Sequence, residues 1–190
     1  MRVIDDVMPE VMQDQVHSIC THKDFNWSFQ PDTTYDYSRE PVIAAMGRPM
    51  LPAFSHMAFM EYKPRTDVCD MLSSSLLCMS DKAGQDTNIL YRVRFGMYLP
   101  LANAPLHNSI HVDVKVPHTV ALYYVNDADG DTFFFNQNRE IVKRVSPKKG
   151  RMVVFDGLTL HASSMPTKNY RISLNLGYVP VPKNYNQNSN

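Results

Sequence analysis

From Thr87 to Tyr178 the sequence is a succession of short runs, alternating or wholly apolar, cut by turn dipeptides. No other feature limits the possible folds so strongly. TNILYRVRFGMYLP (87–100) reads as a long strand, SIHVDVKV (109–116) alternates with three valines and an isoleucine, and VALYYVN (120–126) is mostly apolar. β-branched and aromatic residues at a period of two suit strands packed on one or both faces. Asp129-Gly130 predicts a hairpin into DTFFF (131–135). Lys148-Lys149-Gly150 predicts a turn into RMVVFD, and Asp156-Gly157 another, with TLHAS and YRISLNLGYV following. Eight or so such strands with helices upstream predict a mainly β chain. Its core would be a double-stranded β-helix, or jelly roll, closed by two facing sheets.

Upstream the period changes. In residues 8–21, Met8, Val11, Met12, Val16, Ile19 and Cys20 recur at three- and four-residue steps, as one stripe of a helix does. Pro9 suits the first turn, where its missing N–H costs nothing. A second helix is predicted over 66–80 from Val68, Met71, Leu72, Leu76 and Met79, with Thr66 as N-cap and KAGQD (82–86) as its end. Its methionines are core packing. Between the helices, Trp27, Phe29, Tyr35 and Tyr37 pin an extended segment (25–53) onto the core, and FSHMAFMEY (54–62) is a further strand. Both helices would pack on one sheet of a single domain, 1–190. Residues 1–86 supply helices and support or lid segments, 87–178 the jelly roll, and 179–190 a polar tail.

Composition excludes several classes. The formal net charge is zero and 20% of residues are charged, so no cationic surface points to nucleic acid or an anionic membrane. The longest apolar runs are far too short to span a bilayer, and MRVIDDVMPE lacks the apolar core of a secretory signal. Cys20, Cys69 and Cys78 form no CxxC and read as free thiols in a reducing, cytoplasmic setting. Nothing in the sequence specifies an oligomeric state.

Two His-x-Asp dyads occur, His22-Lys23-Asp24 and His111-Val112-Asp113. Such a dyad arises by chance roughly 0.5 times in a chain of this composition, so context must separate them. Residues i and i+2 of a strand share a face, so the 109–116 strand would aim both side chains at one ion. His22 and Asp24 follow a helix into a polar loop, the ordinary place for such residues. His161 supplies a second imidazole 48 positions beyond Asp113, and Arg171 a guanidinium ten positions further on. Two imidazoles and one carboxylate without thiolates suit Fe(II) with open positions, though Zn(II) and Mn(II) would also bind. Arginine offers a planar fork for a carboxylate. Of the other histidines, His17 reads as a surface or edge residue and His118 as a surface residue; His56, His107 and His118 are set aside as ligands, a rim or substrate role being the alternative for His107.

In order, His111-x-Asp113, YYVND, GDTFFF, RMVVFDGLTLHASS with His161, and YRISLN with Arg171 and Ser173 resemble the 2-oxoglutarate- and Fe(II)-dependent oxygenases. The resemblance is to the prolyl-4-hydroxylase-like branch, particularly its small stand-alone members of phage type. It covers residues 87–178, with a weaker echo in FNWSFQPDT. It implies Fe(II) held by His111, Asp113 and His161, with 2-oxoglutarate chelating through its keto oxygen and C1 carboxylate. The far carboxylate would lie on Arg171, aided by Ser173 and by Tyr124, with Tyr123 as the out-of-phase alternative. O2 would complete the reaction, giving succinate, CO2 and a hydroxylated small-molecule or peptidyl substrate. Halogenases of the family lack the carboxylate ligand, so Asp113 favours hydroxylation. RFGMYLPLANAPLHNSIHVD is longer than the Tyr-Pro-Gly stretch of typical prolyl hydroxylases, which argues against peptidyl proline. Residues 38–53 and 99–108 are available as lids or as barrel caps. The alternative is a cupin-type jelly-roll module that binds a sugar or other ligand without redox chemistry; fold alone does not choose.

Overall fold

A computed structural model describes residues 1–31 and 51–180. In chain order these form β1 (Arg2–Ile4), α1 (Glu10–Thr21), β2 (Ser28–Gln30), β3 (Ala53–Met60), β4 (Lys63–Pro64), α2 (Val68–Met71), α3 (Ser73–Ala83) and β5 (Leu90–Tyr98). There follow β6 (Thr119–Tyr124), β7 (Thr132–Phe135), β8 (Ile141–Val145), β9 (Met152–Asp156), β10 (His161–Ser163) and β11 (Arg171–Tyr178). The described part is mainly β, and its strands form two antiparallel sheets. The large one runs β1-β9-β6-β11-β5-β3-β2 with β4 on β3, and the small one runs β10-β7-β8. This is the jelly-roll arrangement with helices on one sheet.

Side-chain alternation builds the layers. Odd residues Ala121 and Tyr123 of β6, even residues Met152 and Val154 of β9, and Ile172, Leu174, Leu176 and Tyr178 of β11 face the helices. There they bury Val16 and Cys20 of α1 and Leu76, Met79 and Ala83 of α3. Burial pushes the Cys20 thiol up to about 12, so it behaves as a small apolar side chain. The opposite faces (Val120, Leu122, Tyr124, Val153, Phe155) meet Phe134 and Val145 of the small sheet, closing the barrel. Phe133 and Phe135 point out of the small sheet and are covered by Ile110 and Leu160.

Several local readings differ from the structure. The helix expected over 66–80 is two pieces hinged at Leu72, and Asp67, not Thr66, precedes it. Thr66 instead bonds Nε2 of His56 at 2.9 Å, fixing a core histidine between Asn26 and the Phe25 and Phe95 rings. Pro9 sits at the N-cap of α1, one position before the first turn. Asp129-Gly130 does not close a hairpin: β6 and β7 belong to different sheets, and the turn carries the chain between them. The Asp129 carboxylate accepts the Thr167 and Lys168 amides there. Gly130 is needed because an added Cβ would lie 2.8 Å from the Ser164 carbonyl and 3.3 Å from Cδ of Arg171.

His118, expected at the surface, is buried against Gly157, where an added Cβ would meet its ring at 2.0 Å. No helix among the described residues is long and apolar enough to cross a membrane. The 38–53 segment up to residue 50, and the tail from 181 onward, lie outside the described residues.

Candidate metal and carboxylate site

The largest departure from the sequence reading lies at the dyad. Residues 109–116 are not a strand; His111 makes a single antiparallel bridge, to His161. Its two backbone bonds, His111 N to His161 O and back, are each 3.0 Å. The bridge sets the two imidazoles side by side, ring centroids 4.7 Å apart. Asp113 turns toward them from irregular chain. Convergence therefore comes from a backbone bridge and a bend, where strand parity was expected to supply it.

Each imidazole is tied at Nδ1 to the carbonyl two residues earlier, His111 to Ser109 and His161 to Thr159, both at 2.9 Å. A neutral ring that donates from Nδ1 presents a bare Nε2. Burial lowers the pKa of His161, with the Asp113 charge opposing, which favours the neutral ring a metal needs. Phe155 packs edge-on against that ring at 5.1 Å and steadies it. Nε2 of His111 lies 4.0 Å from one Asp113 oxygen and Nε2 of His161 lies 3.8 Å from the other. One donor atom from each residue falls within 4.8 Å of the others.

Asp113 is the electrostatic centre. Burial alone would raise its pKa, but the Arg92 guanidinium, then His161 and His111, then the Asn175 amide overcome that, holding it well below the usual carboxylate range. Arg92 Nη2 lies 2.8 Å and Asn175 Nδ2 2.9 Å from the same oxygen, Oδ2. Oδ1 is left as the freer donor. Arg92 also donates to Asn175 Oδ1 at 3.0 Å, closing a three-membered ring of contacts. The pairing of Arg92 and Asn175 with Asp113 escaped the sequence reading. Their signal was the polar face of two strands: in β5, Arg92, Arg94, Gly96 and Tyr98 alternate with Val93, Phe95 and Met97.

Arg171, at the start of β11, is 2% exposed. Nη2 donates to Thr132 Oγ1 at 3.0 Å, while Nε is buried without a partner. No carboxylate pairs with it among the described residues. The Tyr98 and Tyr124 rings lie 5.6 and 5.4 Å from its guanidinium carbon. A buried guanidinium without a counter-ion is costly unless an anion arrives. Of the two tyrosines left open by sequence, Tyr124 faces Arg171 and Tyr123 the helices. The Tyr124 hydroxyl donates to Thr132 Oγ1 at 2.7 Å. Thr132 thus joins Tyr124 to Arg171.

One cleft connects these groups; among its lining are His111, Asp113, His161, Thr132, Arg171 and Ser173. The His22 dyad is elsewhere, exposed, with Asp24 paired to Lys23 at 2.8 Å. His107 is outside the cleft too, against Phe133 and Phe135 on the outer face of the small sheet. In the 99–108 segment, Leu99 and Leu106 are exposed and do not cap the core.

No protein-family model matches the sequence, and no curated protein matches it. Solved structures do. A prolyl-4-hydroxylase of Pseudomonas putida superposes with a TM-score of 0.61 at 16% identity, covering 93% of this chain and 91% of that one. The fold is that of the prolyl-4-hydroxylase-like oxygenases. The viral collagen prolyl hydroxylase of Paramecium bursaria Chlorella virus-1, solved as its 2-oxoglutarate complex, gives 0.55 at 14% identity over 94% and 96%. The epimerase SnoN, solved with Fe3+, α-ketoglutarate and nogalamycin RO, gives 0.59 at 12% over 93% and 77%. At these identities the likeness is one of fold.

Proposed function

We propose that this protein is an Fe(II)- and 2-oxoglutarate-dependent dioxygenase that hydroxylates a small-molecule or peptidyl substrate and releases succinate and CO2. One observation carries the reading: a buried guanidinium with no counter-ion among the described residues, Arg171, opens into the same cleft as a two-histidine, one-carboxylate cluster. Structural neighbours solved with 2-oxoglutarate or with Fe3+ and α-ketoglutarate support the choice of co-substrate and metal.

The donor set passes the test of fit. Both Nδ1 atoms are engaged and both Nε2 atoms are free, Asp113 is held ionised, and thiolates are absent from the cluster. Hard or borderline nitrogen and oxygen donors of this kind suit Fe(II). When bound, the iron with 2-oxoglutarate activates O2 for C–H oxidation. The chain's own tasks are to hold and to exclude. His111, Asp113 and His161 would hold the ion. Arg171 would hold the distal carboxylate by a charge-assisted contact. Thr132 holds the guanidinium in place, and Ser173 lies on the same face to add a hydroxyl. The apolar walls Leu122 and Phe54 limit water in the cleft.

A cupin-type binding module would have little use for Arg171 in this position. Anaerobic titration with Fe(II) and then 2-oxoglutarate distinguishes the two. The oxygenase gives a weak visible metal-to-ligand charge-transfer band that grows to one equivalent; its absence favours the binding module.

A further inference from the structure

Resting on the oxygenase reading, we propose that Arg94 is a specificity-determining residue, and that the substrate carries a carboxylate which it recognises. The inward face of β5 reads Arg92, Arg94, Gly96, Tyr98, and each of the last three lines the cleft. Across the sheet, Tyr98 opposes Arg171, Gly96 opposes Ser173 and Arg94 opposes Asn175. Asn175 is the residue that bonds Asp113. Arg94 therefore stands on the ligand-cluster side of the cleft, at the opposite end from Arg171.

With metal and co-substrate bound, the cleft keeps an excess of positive charge that a second anion would reduce. Arg92 and Asp113 form a closed ion pair at 2.8 Å. A divalent ion is matched in net charge by a dianionic co-substrate, so Arg171 and Arg94 give the cleft an excess of positive charge. 2-Oxoglutarate has only two carboxylates; in the proposed mode one chelates the metal and the other reaches Arg171. Asn175, which lies opposite Arg94, and Arg171 itself are four residues apart along β11, or about 14 Å at the rise of a strand. The co-substrate has no third anionic group to offer Arg94. Among the described residues, no carboxylate lies within ion-pair distance of Arg94, and no hydrogen bond ties it down. Gly96, beside it on the same face, places no side chain between the guanidinium and the space above Ser173. A free guanidinium at the wall of a partly dry cleft selects planar oxyanions, which it can grip with two parallel bonds.

The test uses Zn(II)-loaded full-length protein with saturating 2-oxoglutarate, and ligand-observed NMR to measure binding. Two matched pairs of probes are compared. N-acetylproline against N-acetylprolinamide reports a terminal carboxylate. N-acetylaspartic acid α-amide against N-acetylasparagine amide reports a side-chain carboxylate. In at least one pair the acid is expected to bind roughly ten- to hundredfold more tightly than its amide, as for a hydrogen bond to a charged group. The pair that shows the preference identifies the source. Arg94→Gln should remove the preference, and Arg94→Lys should restore part of it.

The proposal is overturned if neither pair shows a preference in the wild-type protein, or if Arg94→Gln retains it. It also fails if Arg94→Gln weakens 2-oxoglutarate instead of the acid probe. The wild-type comparison stands even if a variant does not fold. Failure of the wild-type protein to bind 2-oxoglutarate would be a different result, removing the oxygenase reading and this proposal with it.

Discussion

Replacing Arg92 with methionine separates two effects that the site combines. The wild-type pair is almost dry: the Arg92 and Asp113 side chains are 9% and 7% exposed and 2.8 Å apart. Two unit charges at about 4 Å interact by about 4 kcal/mol at an effective dielectric of 20. Removing one partner of a buried pair costs about 3–5 kcal/mol, chiefly because the other charge is stranded. Arg92→Met keeps the stem's apolar contacts, so the metal-free protein should lose roughly that amount. A bound dication supplies the missing positive charge. With metal the loss should shrink to about 1–2 kcal/mol, in the range of an ordinary packing change.

The thermodynamic cycle then requires the native variant to bind the ion more tightly, by roughly tenfold or more. Urea unfolding at pH 7, with chelator and with saturating Zn(II), measures both legs, and calorimetry measures the affinity directly. Equal losses with and without metal would refute the charge argument. So would weaker metal binding by Arg92→Met, which would make Arg92 chiefly a holder of the Asp113 geometry.

Three further outcomes are expected. Alanine at His111, Asp113 or His161 should weaken metal binding at least a hundredfold and abolish 2-oxoglutarate turnover, whereas His22→Ala should leave both intact; calorimetry and a succinate assay check this, and damage from His22→Ala would point to the wrong dyad. Arg171→Ala should raise the 2-oxoglutarate requirement severalfold to a hundredfold with metal affinity nearly unchanged, because truncating a desolvated charge partner costs about 2–5 kcal/mol; Arg171→Lys should recover part, and an unchanged requirement would move the anchor elsewhere. Gly130→Ala should destabilise by about 1–3 kcal/mol and loosen 2-oxoglutarate, since the new methyl meets the Ser164 carbonyl and the Arg171 stem; a thermal melt at wild-type temperature would show that the turn yields freely.

The strands of β3, β5, β6, β9, β10 and β11 were legible because each keeps a period of two or a short apolar run over its length. SIHVDVKV has the same pattern and is not a strand. Periodicity records which faces are apolar, but a strand also needs a partner along its length, and here only His111 finds one. The His118 ring and the Asp129-Gly130 turn failed for a related reason. Burial against Gly157 is set by a chain segment distant in sequence, and a crossing between sheets by which sheet a strand joins, and neither is written in the neighbouring residues.

The candidate site divides the same way. His111, Asp113, His161 and Arg171 could be picked out because their residue types and order carry chemistry on their own. Asn175 and Tyr98, and Arg92 as the partner of Asp113, could not, because a polar residue alternating with apolar ones ordinarily marks the solvent face of a half-buried strand. In β5 and β11 both faces are covered: the apolar set meets the helices, and the polar set lines the interior of the barrel. An inward row of arginine, glycine, serine and asparagine is expensive to bury, and a purely structural barrel would replace it with leucine and valine. Two of its members, Arg92 and Asn175, are paired with the Asp113 carboxylate. Arg171 and Arg94 are not satisfied by any carboxylate among the described residues, so the row makes physical sense when anions fill the cleft. The strand-to-strand register, Arg94 to Asn175 and Tyr98 to Arg171, places those two demands at opposite ends of one cavity. A site for one dicarboxylate would leave one of them unmet; two anionic ligands meet both.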